Sequence, residues 1–119
     1  IHLNKTAAFI RSSVLAGCYL AGADKERCNA AATYGESVGL AFQIVNDLQD
    51  ITGDAVMIGK NTGKDQKAKK CTYPALFGLK ESGIKARELL NRARESVSMY
   101  YDEAEVFNAV IDFLEQPLG

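Results

Sequence analysis

A helical pattern that is apolar on most sides yet carries a string of oxygen donors is the strongest constraint in this chain. Ala31, Tyr34, Val38, Phe42, Val45 and Leu48 recur at the three- and four-residue steps of one helix face. Gly39, Leu40, Ala41 and Ile44 fill the positions between, so the helix is expected to be largely buried and to carry apolar residues on more than one face. Gln43, Asn46, Asp47 and Asp50 share the remaining edge, and a carboxylate pair on such a helix needs a partner. Asp24 is a good N-cap, with Glu26 in the first turn. The helix is expected to end near Asp50, at a length of about 39 Å. Thr52-Gly53-Asp54 reads as a turn. That ending puts Asp47 and Asp50 in the last turn, where the macrodipole disfavours each acid by about 0.3–1 kcal/mol.

A glycine-punctuated loop over residues 51–71 follows, with Lys60, Lys64, Lys67, Lys69 and Lys70 against one acid, Asp65. Taken singly, a carboxylate pair or a lysine run is the ordinary mark of a solvated surface. Together they suit a hard divalent cation bridging to a phosphorylated ligand, since Mg²⁺ is held by one or two carboxylates plus substrate phosphates.

The rest of the chain is also helical in period. Ala7, Ile10, Val14 and Cys18 form one face of a first helix, with Gly17, Ala21 and Gly22 marking close packing and then a stop. Thr72 is expected to cap a short helix with Pro74 in its first turn. Gly78 and Gly83 are expected to break the chain around Ser82, ahead of a helix over 84–100. Asp102-Glu103-Ala104-Glu105 resembles a capping box opening a last helix that ends near Glu115. Alternating strand patterns, linkers and repeats are absent.

At 119 residues this is at most one domain, and 47% hydrophobic content argues against disorder. A net charge of −1 argues against nucleic acid as the main partner. Cys18, Cys28 and Cys71 have no metal-ligand spacing and are read as reduced thiols of an intracellular protein, with Cys71 as a small apolar filler. His2, the only histidine, is read as structural or fraying. No apolar run is long enough to span a membrane, and no signal peptide is visible.

GLAFQIVNDLQD (39–50), then GKNTGKDQKAKKCTYPALFGL (59–79), resembles the C-terminal half of the trans-isoprenyl diphosphate synthases, of geranylgeranyl, farnesyl and longer polyprenyl type. IHLNKTAAFIRSSVLAGCYLAGA (1–23) is similar to the same family's helix that opens with a Lys-Thr pair. The likeness is collinear over residues 1–100. It implies an all-α fold around a deep apolar cavity, represented here by a single partial domain over 1–119 with about five helices and one Lys-rich loop. It also implies Mg²⁺-dependent condensation of isopentenyl diphosphate with an allylic diphosphate. By the same resemblance Lys5, Lys60 and Lys70 bind diphosphate, and Lys64 and Asp65 continue the loop pattern. Thr6 lies against the reacting carbons, and Phe42-Gln43 forms part of the active-site wall, so that Lys5, Thr6 and Gln43 are the catalytic positions. Asn46, Asp47 and Asp50 fill the second aspartate-rich motif as metal ligands. A cytoplasmic homo-oligomer is expected.

Two departures qualify the resemblance. Asn46 stands where the family has its first Asp. One unit of charge about 4 Å from a dication is worth about 8 kcal/mol gross at an effective dielectric of about 20, before desolvation is subtracted. The family's first Asp-Asp-x-x-Asp motif, which precedes the Lys-Thr helix, is absent from the 119 residues. The chain is therefore expected to be a fragment or truncated product, inactive alone. An apolar face is expected to be left uncovered on its long helix, driving self-association. A non-catalytic subunit that tunes an active synthase, and a generic helical Mg²⁺–phosphate binding domain, are the alternative readings.

Overall fold

A tight turn at residues 21–24 sets the first pair of helices. In the computed structural model, which describes residues 2–56, 73–99 and 104–119 with the side chains at 2–4 and 52–56 excepted, helix α1 runs His2–Leu20 and α2 Lys25–Val56. Gly22 takes φ 72°, a left-handed conformation that glycine adopts without a Cβ penalty. The Gly22 N–H donates to the Tyr19 carbonyl at 3.1 Å and the Ala23 N–H to that of Cys18 at 3.0 Å, the paired bonds that close a helix C-terminus at a left-handed residue. Asp24 then caps α2 as the sequence predicts, its Oδ1 accepting from the Arg27 N–H at 2.8 Å. That bond is the first cause holding the Asp24 carboxyl below its ordinary range, with the Arg27 guanidinium adding to it.

Helix α2 is longer than its sequence suggests. It passes through Thr52-Gly53-Asp54 to Val56, so these residues are not a turn and Asp47 and Asp50 are not in the last turn. The macrodipole cost falls away with that geometry, because it is confined to the final turn. Gly53 weakens a helix by only about 1 kcal/mol, and a helix already formed gains one hydrogen bond for each residue added.

The short helix α3, Tyr73–Phe77, carries Pro74 buried in its first turn. Gly78, at φ 86°, separates it from α4, Leu79–Ser98. Gly83 does not break the chain: it lies inside α4. Ser82 beside it is fully buried, its hydroxyl donating to the Gly78 carbonyl at 2.6 Å, and Ala86, Leu89, Leu90, Ala93 and Val97 bury the rest of that face. Such burial outweighs one interior glycine. Helix α5, Glu105–Glu115, starts at Ala104 as N-cap with no side-chain cap bond, so the capping box is not the device used at that position. Asp102 and Glu103 lie outside the described residues, as does Thr72. A 3₁₀ turn, Gln116–Leu118, with Pro117 in its first turn ends the chain.

All described helices pack on α2, with α1 along one side and α4 along the other. Gly35 and Gly39 make the first contact close. A Cβ on Gly35 would lie 2.8 Å from the Arg11 Cα, and one on Gly39 2.6 Å from the Ala7 Cα. Gly17, expected to mark close packing, has open space around its Cβ position. On the other side the core joins Tyr34, Val38, Ala41, Ile44 and Val45 of α2 to α4 and to Ile111 and Leu114 of α5. The Tyr34 hydroxyl donates to the Phe107 carbonyl at 2.9 Å, and the two rings meet edge-on with centroids 4.9 Å apart. Burial pushes that phenol's pKa up to about 12, so it stays a neutral donor. Arg94 of α4 pairs with Asp112 at 3.3 Å and Glu115 at 3.0 Å of α5.

Because α2 lies between two helices, it is not the element left uncovered. Among the described residues its one large exposed apolar side chain is Phe42; the others lie elsewhere, including Phe9, Tyr19 and Leu20 on α1, Leu76 and Phe77 on α3, and Val106 and Phe113 on α5. Leu90, fully buried at the centre of the core, is the position where truncation is most informative. Leu90→Ala is expected to cost about 2–5 kcal/mol, read as a lower urea midpoint with an unchanged slope.

Candidate functional site

Among the described residues, the polar edge of α2 meets α1 at Thr6 and Gln43. Thr6 of α1 is half-buried and donates from its Oγ1 to the Gln43 Oε1 at 3.4 Å. The Gln43 Nε2 in turn donates to the Asp47 Oδ1, one turn along α2, at 3.3 Å. Both bonds are long, and they line up a hydroxyl, an amide and a carboxylate across two helices. The contact requires α1 to sit close to α2, which the bare backbone at Gly35 and Gly39 permits. Ala7, the residue facing Gly39, is the neighbour of Thr6.

Asp47 is only 9% exposed. A carboxylate at that depth is costly without donors or a cation beside it, and Gln43 supplies one donor. Asn46 and Asp50, on either side of it along the helix, are exposed. The edge therefore grades from a buried carboxylate to open oxygen donors. Lys5, next to Thr6, is exposed on α1. Lys60, Lys64, Asp65, Lys67, Lys69, Lys70 and Cys71 lie outside the described residues.

Phe42 sits about 100° around the helix from Gln43. It is 39% exposed rather than part of the buried face, and it lines a groove of about 200 Å³ with Val45, Asn46, Gln49, Phe113 and Leu114.

The donor set passes a chemical test for a hard cation. Two carboxylates and an amide oxygen on one helix edge are the ligand types Mg²⁺ takes, provided substrate oxygens and water complete the shell. Among the described residues no group of three or more His, Cys, Asp or Glu comes together that could hold a metal by itself.

The pattern missed by sequence reasoning is Gly35 and Gly39. Their i, i+4 spacing places two bare positions on one helix face, and that spacing was the available signal for a close helix contact.

Fold and edge together define an all-α protein with an oxygen-rich edge on its spine helix. The profile of the polyprenyl synthetase family matches residues 1–110, and the chain belongs to that family. It is similar to the geranylgeranyl diphosphate synthase of Cyanophora paradoxa, with 39% identity over 96% of this chain and 38% of that protein. It is also similar to the farnesyl diphosphate synthase of Escherichia coli (strain K12), with 40% identity over 98% of this chain and 40% of that protein. The geranylfarnesyl diphosphate synthase of Leucosceptrum canum is 40% identical over 96% of this chain and 32% of its own length. The chain thus spans two fifths or less of the curated relatives it matches. Among the described residues no helix is long and apolar enough to cross a membrane.

Proposed function

We propose that this chain contributes the second aspartate-rich wall of a prenyltransferase that condenses isopentenyl diphosphate with an allylic diphosphate in isoprenoid biosynthesis. The observation that supports it beyond family membership is the Thr6–Gln43–Asp47 chain of hydrogen bonds, with Asn46 and Asp50 beside it. In this reading Asn46, Asp47 and Asp50 would hold Mg²⁺, and the bound ion would neutralise diphosphate charge as the allylic carbon–oxygen bond ionises.

The protein's own task is electrostatic and steric. Lys5, Lys60 and Lys70 bind diphosphate oxygens and favour the charge that builds on the leaving group. Thr6 holds Gln43 and Gln43 holds Asp47, so neither Gln43 nor Asp47 has to reorganise as charge separates. The apolar side chains beside this edge exclude water that would capture an allylic cation. A cytoplasmic location and a homo-oligomeric assembly belong to the same proposal.

A chimera carrying residues 1–119 in place of the matching segment of a full-length relative tests the reading. Supplied with Mg²⁺, isopentenyl diphosphate and an allylic diphosphate, it is expected to form longer diphosphates. A folded but inert chimera would overturn the catalytic reading in favour of a non-catalytic subunit, for which the uncharged Asn46 is the supporting feature. In the same chimera, Asn46→Asp is expected to lower the Mg²⁺ concentration giving half-maximal activity, because it restores a charged ligand. An unchanged Mg²⁺ dependence would remove residue 46 from the ligand set.

A further inference from the structure

The cysteines have no metal-binding pattern in sequence, but the fold brings two of them together. Cys18 lies near the C-terminus of α1 and Cys28 in the first turns of α2, and the turn between them folds back on itself. The Ala23 N–H donates to the Cys18 carbonyl at 3.0 Å, and the Cys28 Sγ lies 3.6 Å from the carbonyl oxygen of that same Ala23. The Cys18 side chain is close enough to the Cys28 thiol to push its pKa up. Neither is in a disulfide; Cys18 is half-buried, and Cys28 is 5% exposed.

We propose that Cys18 and Cys28 form a redox-active dithiol that closes to an intramolecular disulfide by exchange with a low-molecular-weight disulfide, cross-linking the end of α1 to the start of α2. Exposure assigns the order of events. The Cys18 sulfur, the more accessible of the two, attacks as thiolate and displaces one thiolate from the small disulfide, leaving a mixed disulfide on Cys18. The Cys28 sulfur then gives up its proton, attacks the Cys18 sulfur and displaces the second small thiolate. Two protein thiols are oxidised, one small disulfide is reduced to two thiols, and the two protons end on those thiols. Burial pushes the Cys28 thiol above its ordinary range, and the adjacent Cys18 adds to that shift. This suits Cys28 to resolve a mixed disulfide already beside it rather than to attack from solution. The cross-link would fix α1 on α2 at the end of the hairpin opposite Lys5 and Thr6.

Glutathione disulfide is the probe. The reduced chain is incubated with it, remaining thiols are alkylated, and the protein is digested with trypsin. Cleavage after Lys25 and Arg27 separates the two cysteines, so the disulfide appears as segment 12–25 joined to segment 28–60. That pair is expected to dominate and to vanish with dithiothreitol. Cys28→Ser is expected to retain glutathione stably on Cys18, and Cys18→Ser to leave Cys28 largely unmodified. Glutathione on both cysteines of the unaltered chain without the joined segments would overturn the proposal. So would a dominant link from either cysteine to Cys71. The measurement on the unaltered chain stands even where a serine variant folds poorly.

Discussion

Asp47→Asn, made in the chimera that carries this segment, is expected to lower kcat by about a hundredfold or more. That is the scale of losing one preorganised electrostatic contact, about 3 kcal/mol. The substitution keeps the side chain's size and an oxygen able to accept from the Gln43 Nε2, so it removes charge and little else. Its stability effect is expected to have the opposite sign or to be nil. A carboxylate only 9% exposed is costly to bury, and a neutral amide in its place relieves that cost. A thermal midpoint that holds or rises while turnover collapses would separate function from folding, the trade-off expected where a site stores unfavourable charge. Near-normal turnover in Asp47→Asn would remove Asp47 from the proposed metal site.

Much of this fold is legible where periodicity and end signals agree. The Asp24 cap and the stop at Gly22 follow from residue chemistry alone, and so does the largely buried face of α2. The misreadings have two physical causes. Thr52-Gly53 and Gly83 look like breaks because glycine disfavours a helix by about 1 kcal/mol. At Gly83 the buried face of α4 outweighs that, each large apolar side chain being worth about 1.5–3 kcal/mol. At Gly53 a helix already formed gains one hydrogen bond for each residue added. The end of α2 and the start of α4 were therefore not available from local sequence. Phe42 illustrates the same limit from the other side: its spacing fits the buried face, but the edge it occupies opens on a groove beneath α5. For the site, the clustering of Gln43, Asn46, Asp47 and Asp50 was visible as helical spacing. The bond from Thr6, which lies 37 residues away from Gln43, depends on how two helices dock and had no local signal.

Gly39→Ala is expected to destabilise the protein, and Gly17→Ala to stabilise it, although both exchange glycine for the best helix former. At Gly17 the added Cβ meets nothing, so only the backbone term counts, a gain of about 0.5–1 kcal/mol. At Gly39 the same atom would lie 2.6 Å from the Ala7 Cα. That neighbour is backbone, so no rotamer change relieves the clash and α1 itself has to move. Overpacking of this kind costs about 1–3 kcal/mol, enough to override the propensity gain and lower the thermal midpoint by several degrees. The displacement also reaches the proposed site, because Thr6 precedes Ala7 and its 3.4 Å bond to Gln43 is already near the limit of a hydrogen bond. In the chimera, turnover is expected to fall with Gly39→Ala and to be unaffected by Gly17→Ala. Two alanines that raise the midpoint equally would show that the close approach of α1 and α2 does not hold, and with it the contact between Thr6 and Gln43.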